Sequence, residues 1–131
     1  MIKAEYTVNG GAALLSVNGH AGYGEAGKDI VCAACSILIE TLAARFGDCE
    51  GPGQFSRAIG DATFLVSRVP GREGSYSALR ADMEFTVRGL ELLARDYPRY
   101  VKLNKKFGIG ITPENNQKSR PLTGRKESIN A

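Results

Sequence analysis

The segment IKAEYTVNGGAALLSVN, residues 2–18, decides how the fold begins. In residues 2–8 apolar and polar side chains alternate, which is typical of a strand with one buried face. The alternation stops at Asn9-Gly10, a frequent turn pair in β-hairpins, and residues 14–18 have the composition of a returning strand. The sequence therefore predicts an antiparallel hairpin at the start of the fold.

A helix is predicted after the glycine-rich segment that follows this hairpin. Asp29 suits its N-cap, since a carboxylate can accept hydrogen bonds from the free amides of the first turn. Apolar residues then recur at helical spacing as far as Gly47, which we expect to be the C-cap. This apolar face comprises Val31, Ala34, Cys35, Leu38, Ile39 and Leu42.

A second hairpin and a second helix come next. Strands are predicted over 55–59 and 62–69, separated by a turn at Gly60-Asp61. The helix is predicted to run from a cap at Gly74-Ser75 to Asp96, and a last strand to follow it over residues 100–105. The apolar face of this helix comprises Tyr76, Leu79, Met83, Val87, Leu90 and Ala94.

The order ββαββαβ predicts an α/β fold, a two-layer sandwich in which one mixed β-sheet carries two long helices packed on one face. The 131 residues are 43% hydrophobic and 24% charged, which is enough for one core without metal or disulfide support. We expect residues 1–111 to form this domain. Residues 112–131, which are basic and poor in apolar side chains, are expected to be disordered.

Charge is distributed unevenly along the chain. Seventeen Lys and Arg against fourteen Asp and Glu give a net charge of +3, too little for a dedicated nucleic-acid-binding protein. Residues 98–131 carry eight basic and two acidic side chains, a net +6, whereas residues 1–97 carry nine and twelve, a net −3. Such a basic end is usually a solvated surface, but it would also suit a weak association with ribosomal RNA.

Other features indicate the compartment. The first ten residues lack the apolar run of a signal peptide, and the longest apolar stretch, residues 30–39, is shorter than the roughly 20 residues of a membrane span. Three cysteines, an odd number, argue against a disulfide framework. We therefore expect a cytoplasmic protein that does not enter a membrane.

The residues best suited to chemistry lie in GHAGYGEAGKDIVCAACS, residues 19–36. Cys32 falls in the first turn of the first helix, three residues after Asp29. There the free amides and the helix dipole stabilise a thiolate, and the amides could also bind an oxyanion. His20 can act as general base to this thiol and then as general acid to a leaving amine. These are the parts of acyl-transfer chemistry.

Helical spacing separates the neighbours of Cys32 into two groups. Residues 29, 32 and 36 share one face, so Asp29 and Ser36 are candidate supporting residues. Each also has a structural alternative, Asp29 as a cap alone and Ser36 as a donor to the carbonyl four residues back. Cys35 falls on the apolar face, and we expect it in the core.

The segment between the hairpin and the helix contains four glycines within ten residues. This density predicts a mobile loop. We expect the loop to be open without substrate and to close when substrate binds, so that His20 reaches Cys32. The glycines of this gating loop are Gly19, Gly22, Gly24 and Gly27.

Two other chemistries use the same residues. Cys32-Ala33-Ala34-Cys35 is a C-x-x-C at a helix start, as in thiol-disulfide oxidoreductases, but a thioredoxin-like unit places this motif directly after a buried strand. A Cys₃His zinc site could be formed by His20, Cys32, Cys35 and Cys49. The core-facing position of Cys35 and the lack of a second C-x-x-C argue against it. We therefore expect no metal and no cofactor.

The run GHAGYGEAGKDIVCAACS, with His and Cys twelve residues apart, also strongly resembles the ribosomal-processing cysteine protease family, Prp. The elements Gly-His-Ala, Asp-Ile-Val-Cys-Ala and the following Ser are specific together, and the resemblance covers about residues 1–106. The site it implies consists of His20 as the catalytic histidine, Cys32 as the nucleophile, and Asp29 and Ser36 as associated polar residues.

The resemblance implies a homodimeric α/β endopeptidase that removes a short N-terminal extension from a large-subunit ribosomal protein precursor. It further implies an extension that ends in aromatic residues followed by Ala. Cys35 has no catalytic counterpart in the family pattern, and the tail after about Gly110 is longer than usual. The alternative is a noncatalytic ribosome-associated binding module, for which the net +6 of residues 98–131 is the support.

Overall fold

The structure is a computed structural model that describes residues 1–25, 27–48 and 52–108. Its elements follow the predicted order ββαββαβ. The predicted tail, residues 112–131, lies outside the described residues. The elements are β1 (Ile2–Val8), β2 (Ala12–Asn18), α1 (Ile30–Gly47), β3 (Gly53–Ala58), β4 (Asp61–Ser67), α2 (Glu73–Asp96) and β5 (Val101–Phe107).

The strands form one five-stranded sheet in the order β3-β4-β2-β1-β5. β1 pairs antiparallel with β2, and the first hairpin is as predicted, with the Asn9 side chain accepting hydrogen bonds from the amides of Gly11 and Ala12 at 2.9 Å. β4 joins the free edge of β2 antiparallel, whereas β5 returns parallel to β1. The predicted mixed sheet is confirmed.

Burial alternates along the central strands, and their inward side chains meet both helices in one core. Tyr6 pairs with Leu15, and Leu15 pairs with Phe64, so one row of large buried side chains crosses β1, β2 and β4. The helices pack against each other as well, since Gly89 of α2 lies under the side chain of Leu38 of α1. The predicted two-layer arrangement is therefore confirmed.

Several predicted element ends are wrong, among them ends of β2, β3 and β5 by one or two residues, and further ones in α1, α2 and β4. Gly47 is not the C-cap of α1: it is the last helical residue, and Asp48 caps the helix with a right-handed backbone. α2 begins at Glu73 rather than after Gly74-Ser75, and the Glu73 carboxylate accepts the Gly71 amide at 3.2 Å. β4 stops at Ser67, two residues before the predicted end.

α1 as a whole is apolar over a longer stretch than residues 30–39, which the sequence predicts to be too short to span a membrane. By length and composition alone, its 18 residues could cross a membrane. However, six of its side chains are buried, and the helix packs on the sheet and on α2. A core position is sufficient to explain this composition.

Candidate active site

Cys32 lies in the first turn of α1, where the sequence predicts it. Asp29 is the N-cap, and its Oδ1 accepts hydrogen bonds from the amides of Val31 at 3.0 Å and Cys32 at 2.9 Å. The Cys32 side chain is partly exposed. The cap therefore fixes the backbone of Cys32 while its sulfur remains accessible.

The second oxygen of Asp29 binds a different part of the chain. Oδ2 accepts the amide of Tyr23 at 2.9 Å and that of Gly24 at 3.2 Å, both in the loop between β2 and α1. The hydrogen bond from the Cys32 amide, together with those from Gly24, Tyr23 and Val31, lowers the pKa of the Asp29 carboxyl. One ionised carboxylate thus joins the loop to the helix start.

A backbone amide points at the sulfur of Cys32. The N–H of Ala21 donates to Cys32 Sγ at 3.2 Å, and the Ala21 side chain is buried. A donor directed at sulfur stabilises negative charge there. Sequence reasoning missed this contact, because it depends on how the loop folds back and not on the residue type at position 21.

Three amides in the first turn of α1, where the sequence predicts oxyanion donors, already donate to Asp29. Those of Val31 and Cys32 donate to the Asp29 side chain, and that of Ala33 donates to the Asp29 carbonyl at 3.0 Å. Because each N–H has one hydrogen, these three groups are already used. These three amides are therefore not available to an oxyanion in this structure, and the Ala21 amide is the donor that faces the sulfur.

His20 is exposed and lies where β2 enters the loop. A β-carbon at Gly60, in the turn between β3 and β4, would lie only 3.0 Å from His20 Nε2, so the imidazole packs directly on this glycine. The amide of Gly19 also donates to the Gly60 carbonyl at 2.9 Å. The β3–β4 turn therefore supports the histidine, a role that the turn signal in the sequence did not reveal.

His20 and Cys32 line the same two cavities. One has a volume of about 290 Å³ and an apolar floor, and the exposed Ser36 and the ion pair between Arg57 and Glu40 also border it. The other, of about 510 Å³, is bordered by three of the loop glycines. The floor of the first cavity includes Ile2, Val17, Cys35, Ile39 and Ala62.

Cys35 is buried, as its position on the apolar face predicts. Its side chain is 6% exposed, and burial, together with the neighbouring Cys32, raises the pKa of the Cys35 thiol to about 11. Both described cysteines are free. The two thiols of the C-x-x-C therefore differ in environment, one accessible and the other in the core.

The gating-loop glycines differ in what they require. Gly19, Gly22 and Gly27 have positive φ angles, which favour glycine. Gly19 has a second constraint, since a β-carbon there would lie 2.2 Å from the carbonyl oxygen of Met1. The predicted opening and closing of this loop remains a prediction.

No group of three or more His, Cys, Asp or Glu side chains that could hold a metal occurs within residues 1–25, 27–48 and 52–108. Cys49, one of the four ligands in the zinc hypothesis, lies outside these ranges. The four-ligand site as a whole is therefore not tested.

Comparison with known proteins identifies the family. The family model described as cysteine protease Prp matches residues 1–102. The chain belongs to the Prp family of cysteine proteases. This confirms the resemblance seen in the loop and helix start, and with it the expectation of an enzyme.

Solved structures agree with the Prp assignment. The chain is similar to SMU.848 from Streptococcus mutans, with 28% identity and a TM-score of 0.59 over 82% of this chain and 96% of that one. It is also similar to the essential ribosomal processing protease Prp from S. aureus with a covalently linked product peptide, with 25% identity and a TM-score of 0.62 over 81% and 100%. The S. aureus complex with a substrate peptide, at 24% identity and a TM-score of 0.60 over the same shares, supports the fold. No curated protein sequence matches the chain.

Proposed function

We propose that this Prp-family protein is an endopeptidase that removes a short N-terminal extension from a large-subunit ribosomal protein precursor, with Cys32 as nucleophile and His20 as general base. The observation that carries the proposal is the surroundings of Cys32. Its sulfur sits at a helix start, accepts the Ala21 amide at 3.2 Å, and lines the same cavities as His20. The S. aureus relative, described as a ribosomal processing protease holding a covalently linked product peptide, supports this substrate class.

The chemistry follows from these groups. His20 takes the proton of the Cys32 thiol, and the thiolate attacks the scissile carbonyl to form a tetrahedral intermediate. Protonated His20 then gives its proton to the leaving amine, which departs as the new N-terminus of the ribosomal protein. A water molecule, activated by His20, hydrolyses the remaining thioester and releases the extension.

Asp29 and Ser36 support this site in different ways. Asp29 holds the helix start and the loop together through four backbone amides. Ser36 is exposed on the wall of the 290 Å³ cavity, one helical turn beyond Cys32, where its hydroxyl can bind the backbone of a bound peptide. The four glycines of the loop let the chain pass closely around these residues.

Two assembly proposals accompany the activity. The protein acts as a homodimer, which is consistent with the large apolar side chains that α1 and α2 expose: Ile37 is 63% and Phe85 is 83% accessible in the single chain. Sedimentation equilibrium of wild type and Phe85→Glu tests the dimer, since a charge on that surface should produce monomers.

We further propose that the protein acts in the cytoplasm, where ribosomal proteins are made. Its basic C-terminal segment associates weakly with ribosomes.

Two cysteine variants provide a matched test of the catalytic assignment. Cys32→Ala should abolish cleavage of the precursor protein, measured as a mass change, while Cys35→Ala keeps most of the activity. The two substitutions are identical and three residues apart, but only Cys32 is accessible. His20→Ala should fold and be nearly inactive, because neither thiol ionisation nor amine departure is then assisted.

The alternatives make different predictions. An active Cys32→Ala enzyme would exclude Cys32 as nucleophile. An unchanged precursor mass with retained binding would favour the noncatalytic ribosome-associated module. Activity that needs both cysteines, with a disulfide between them, would favour the oxidoreductase, and metal released from all of the His20, Cys32, Cys35 and Cys49 variants would favour the zinc site.

A further inference from the structure

Tyr23 connects the catalytic loop to the start of β5, which lies at the same end of the sheet as the end of β2. Its ring lies edge-on to Tyr97, with centroids 5.5 Å apart, and edge-on to Tyr100, with centroids 5.1 Å apart. The interplanar angle is 82° in both pairs, the T-shaped arrangement that aromatic rings favour. One side chain of the loop therefore contacts two rings between α2 and β5.

The two tyrosines that receive the Tyr23 ring lie at the end of α2 and just before β5. The amide of Tyr97 closes the end of α2 on the Leu93 carbonyl at 2.7 Å. The carbonyl of Tyr100 accepts the amide of Ile2 at 2.8 Å, just where β1 and β5 begin to pair. Both rings pack partly buried against the core. Tyr23, in contrast, is 43% exposed and lies in the loop.

We infer that Tyr23 is a positioning residue, whose contacts with Tyr97 and Tyr100 hold the loop that carries His20 in its catalytic position. This inference rests on the proposed function, because it assigns the loop a catalytic conformation. The set of Tyr23, Tyr97 and Tyr100 is called the tyrosine latch below.

The path of the loop shows why such a latch is needed. From His20 to Gly24 the chain is held by backbone contacts: the Ala21 amide to the Cys32 sulfur, and the amides of Tyr23 and Gly24 to Asp29. All of these lie on the side that faces α1. Because glycine gives such a segment many competing conformations, fixing the loop in one of them costs much conformational entropy. The backbone hydrogen bonds on the α1 side alone must offset this cost. The tyrosine latch adds side-chain contacts to a different part of the fold.

The latch acts on His20 through three residues of chain. If the Tyr23 ring leaves its partners, the Asp29 contacts to Tyr23 and Gly24 lose their support, and the Ala21 amide is displaced from the sulfur. Only the fraction of molecules with the loop in place is then competent, and kcat/KM is multiplied by that fraction.

Tyr23→Leu and Tyr23→Phe form the test pair. Phenylalanine keeps the ring edges and faces, so Tyr23→Phe should retain activity on the precursor peptide, whereas Tyr23→Leu should lose about tenfold in kcat/KM. Three measurements apply to each variant: kcat and KM, the rate at which iodoacetamide alkylates Cys32, and hydrogen exchange of the amides of residues 20–25. The alkylation rate of Tyr23→Leu should fall in step with kcat/KM, and its exchange should accelerate. The melting temperature should fall only slightly, since the lost contacts are confined to the loop and the Tyr23 ring is already 43% exposed.

A double-mutant cycle with Tyr100→Leu locates the effect. If the rings act as a unit, Tyr23→Leu should add little to Tyr100→Leu, and the two losses should not multiply. Because Tyr100 also packs on the core, its effect on stability is measured separately by thermal unfolding.

The outcomes separate this inference from the proposed function. Unchanged hydrogen exchange and unchanged alkylation in Tyr23→Leu would overturn the latch, even if the wild-type enzyme cleaves its peptide. Equal losses in Tyr23→Phe and Tyr23→Leu would overturn it too, because the phenol and not the ring would then be responsible. If the wild type leaves the peptide intact, the proposed function fails, and faster exchange with slower alkylation in Tyr23→Leu would still establish the latch.

Discussion

Asp29 shows how one side chain can serve two segments. Its Oδ1 holds the amides at the start of α1, and its Oδ2 holds the amides of Tyr23 and Gly24 in the loop. A serine or asparagine could perform the first task, since either is a competent N-cap. Only a carboxylate offers acceptors to both sets of donors.

Asp29→Asn should therefore affect the loop more than the helix. The asparagine oxygen can keep the cap, but its NH₂ group then faces two amide donors and cannot accept from them. We expect unchanged helix content by circular dichroism, reduced but measurable turnover, and faster hydrogen exchange at Tyr23 and Gly24. Full activity with unchanged exchange would contradict this role for the second oxygen.

The same hydrogen bonds set the pH dependence of this junction. Because they lower the pKa of Asp29 in the folded protein, the stability they contribute is present above the usual carboxyl value of about 3.9 and is lost as pH falls through the lowered value. Asp29 itself should therefore add no titration to the activity profile near neutral pH.

Cys35 allows a second residue-scale prediction. With its pKa raised to about 11, Cys35 is a protonated thiol at pH 8 and is shielded by the core. Iodoacetamide at that pH should modify Cys32 and leave Cys35 intact, as read by peptide mass mapping. Equal labelling of both thiols would show that Cys35 is accessible. The substitution Cys35→Ala should lower the free energy of unfolding by about 1 kcal/mol, because it removes one small buried group.

At the scale of elements, the turn between β3 and β4 supports His20. Gly60→Ala combines an unfavourable positive φ of 73° with a β-carbon 3.0 Å from the imidazole. Gly71→Ala is the matched control: its φ is 84°, and no described atom lies within 4 Å of the added carbon. Each variant should lose about 1–2 kcal/mol in free energy of unfolding. Only Gly60→Ala should also lower the kcat/KM of the folded enzyme, because only its β-carbon crowds the imidazole. Equal activity of the two variants would show that the imidazole does not depend on this turn.

The contact between α1 and α2 predicts that two glycine-to-alanine substitutions in α2 change the melting temperature in opposite directions. A β-carbon at Gly89 would lie 2.7 Å from Leu38 Cδ2, whereas at Gly74 it would meet no described atom within 4 Å beyond its chain neighbours and the backbone of its own helix. Alanine usually favours a helix over glycine by up to about 1 kcal/mol, so Gly74→Ala should raise the melting temperature. Gly89→Ala should lower it, because crowding at Leu38 costs about 1–3 kcal/mol. A rise in both variants would mean that the helices can move apart freely.

The element scale is also where sequence reasoning succeeds and stops. Alternation in β1 and the cap at Asp29 are local patterns, and they predicted the hairpin, α1 and the exposure difference between Cys32 and Cys35. The contact of His20 with Gly60 and that of the Ala21 amide with Cys32 join residues 40 and 11 positions apart through the path of a loop. No local pattern encodes that path. The start of α2 was misplaced because Glu73 supports the first turn without a conventional N-cap side chain.

At the scale of the whole molecule, contacts with acidic residues reduce the unpaired positive charge of the basic C-terminal segment. Lys105 bonds to Glu91 at 2.6 Å, and Lys106 bonds to Glu5 at 2.8 Å, so two positive charges of β5 are paired with acidic residues of the body. Part of the net +6 that supported a ribosome-binding module is thereby neutralised locally. Residues 112–131 carry four basic and two acidic side chains and add a net +2.

Removal of residues 112–131 should therefore separate catalysis from ribosome association. The two cavities shared by His20 and Cys32 are lined by described residues between positions 2 and 62, and β5 ends at Phe107. The shortened protein should therefore cleave the precursor peptide within about twofold of the full chain. Co-sedimentation with ribosomes at low salt should weaken, because the paired lysines of β5 leave fewer free charges to replace those lost. A tenfold fall in peptide cleavage with an unchanged melting temperature would show that residues 112–131 take part in the reaction. Unchanged co-sedimentation would show that ribosomes contact another surface of the protein.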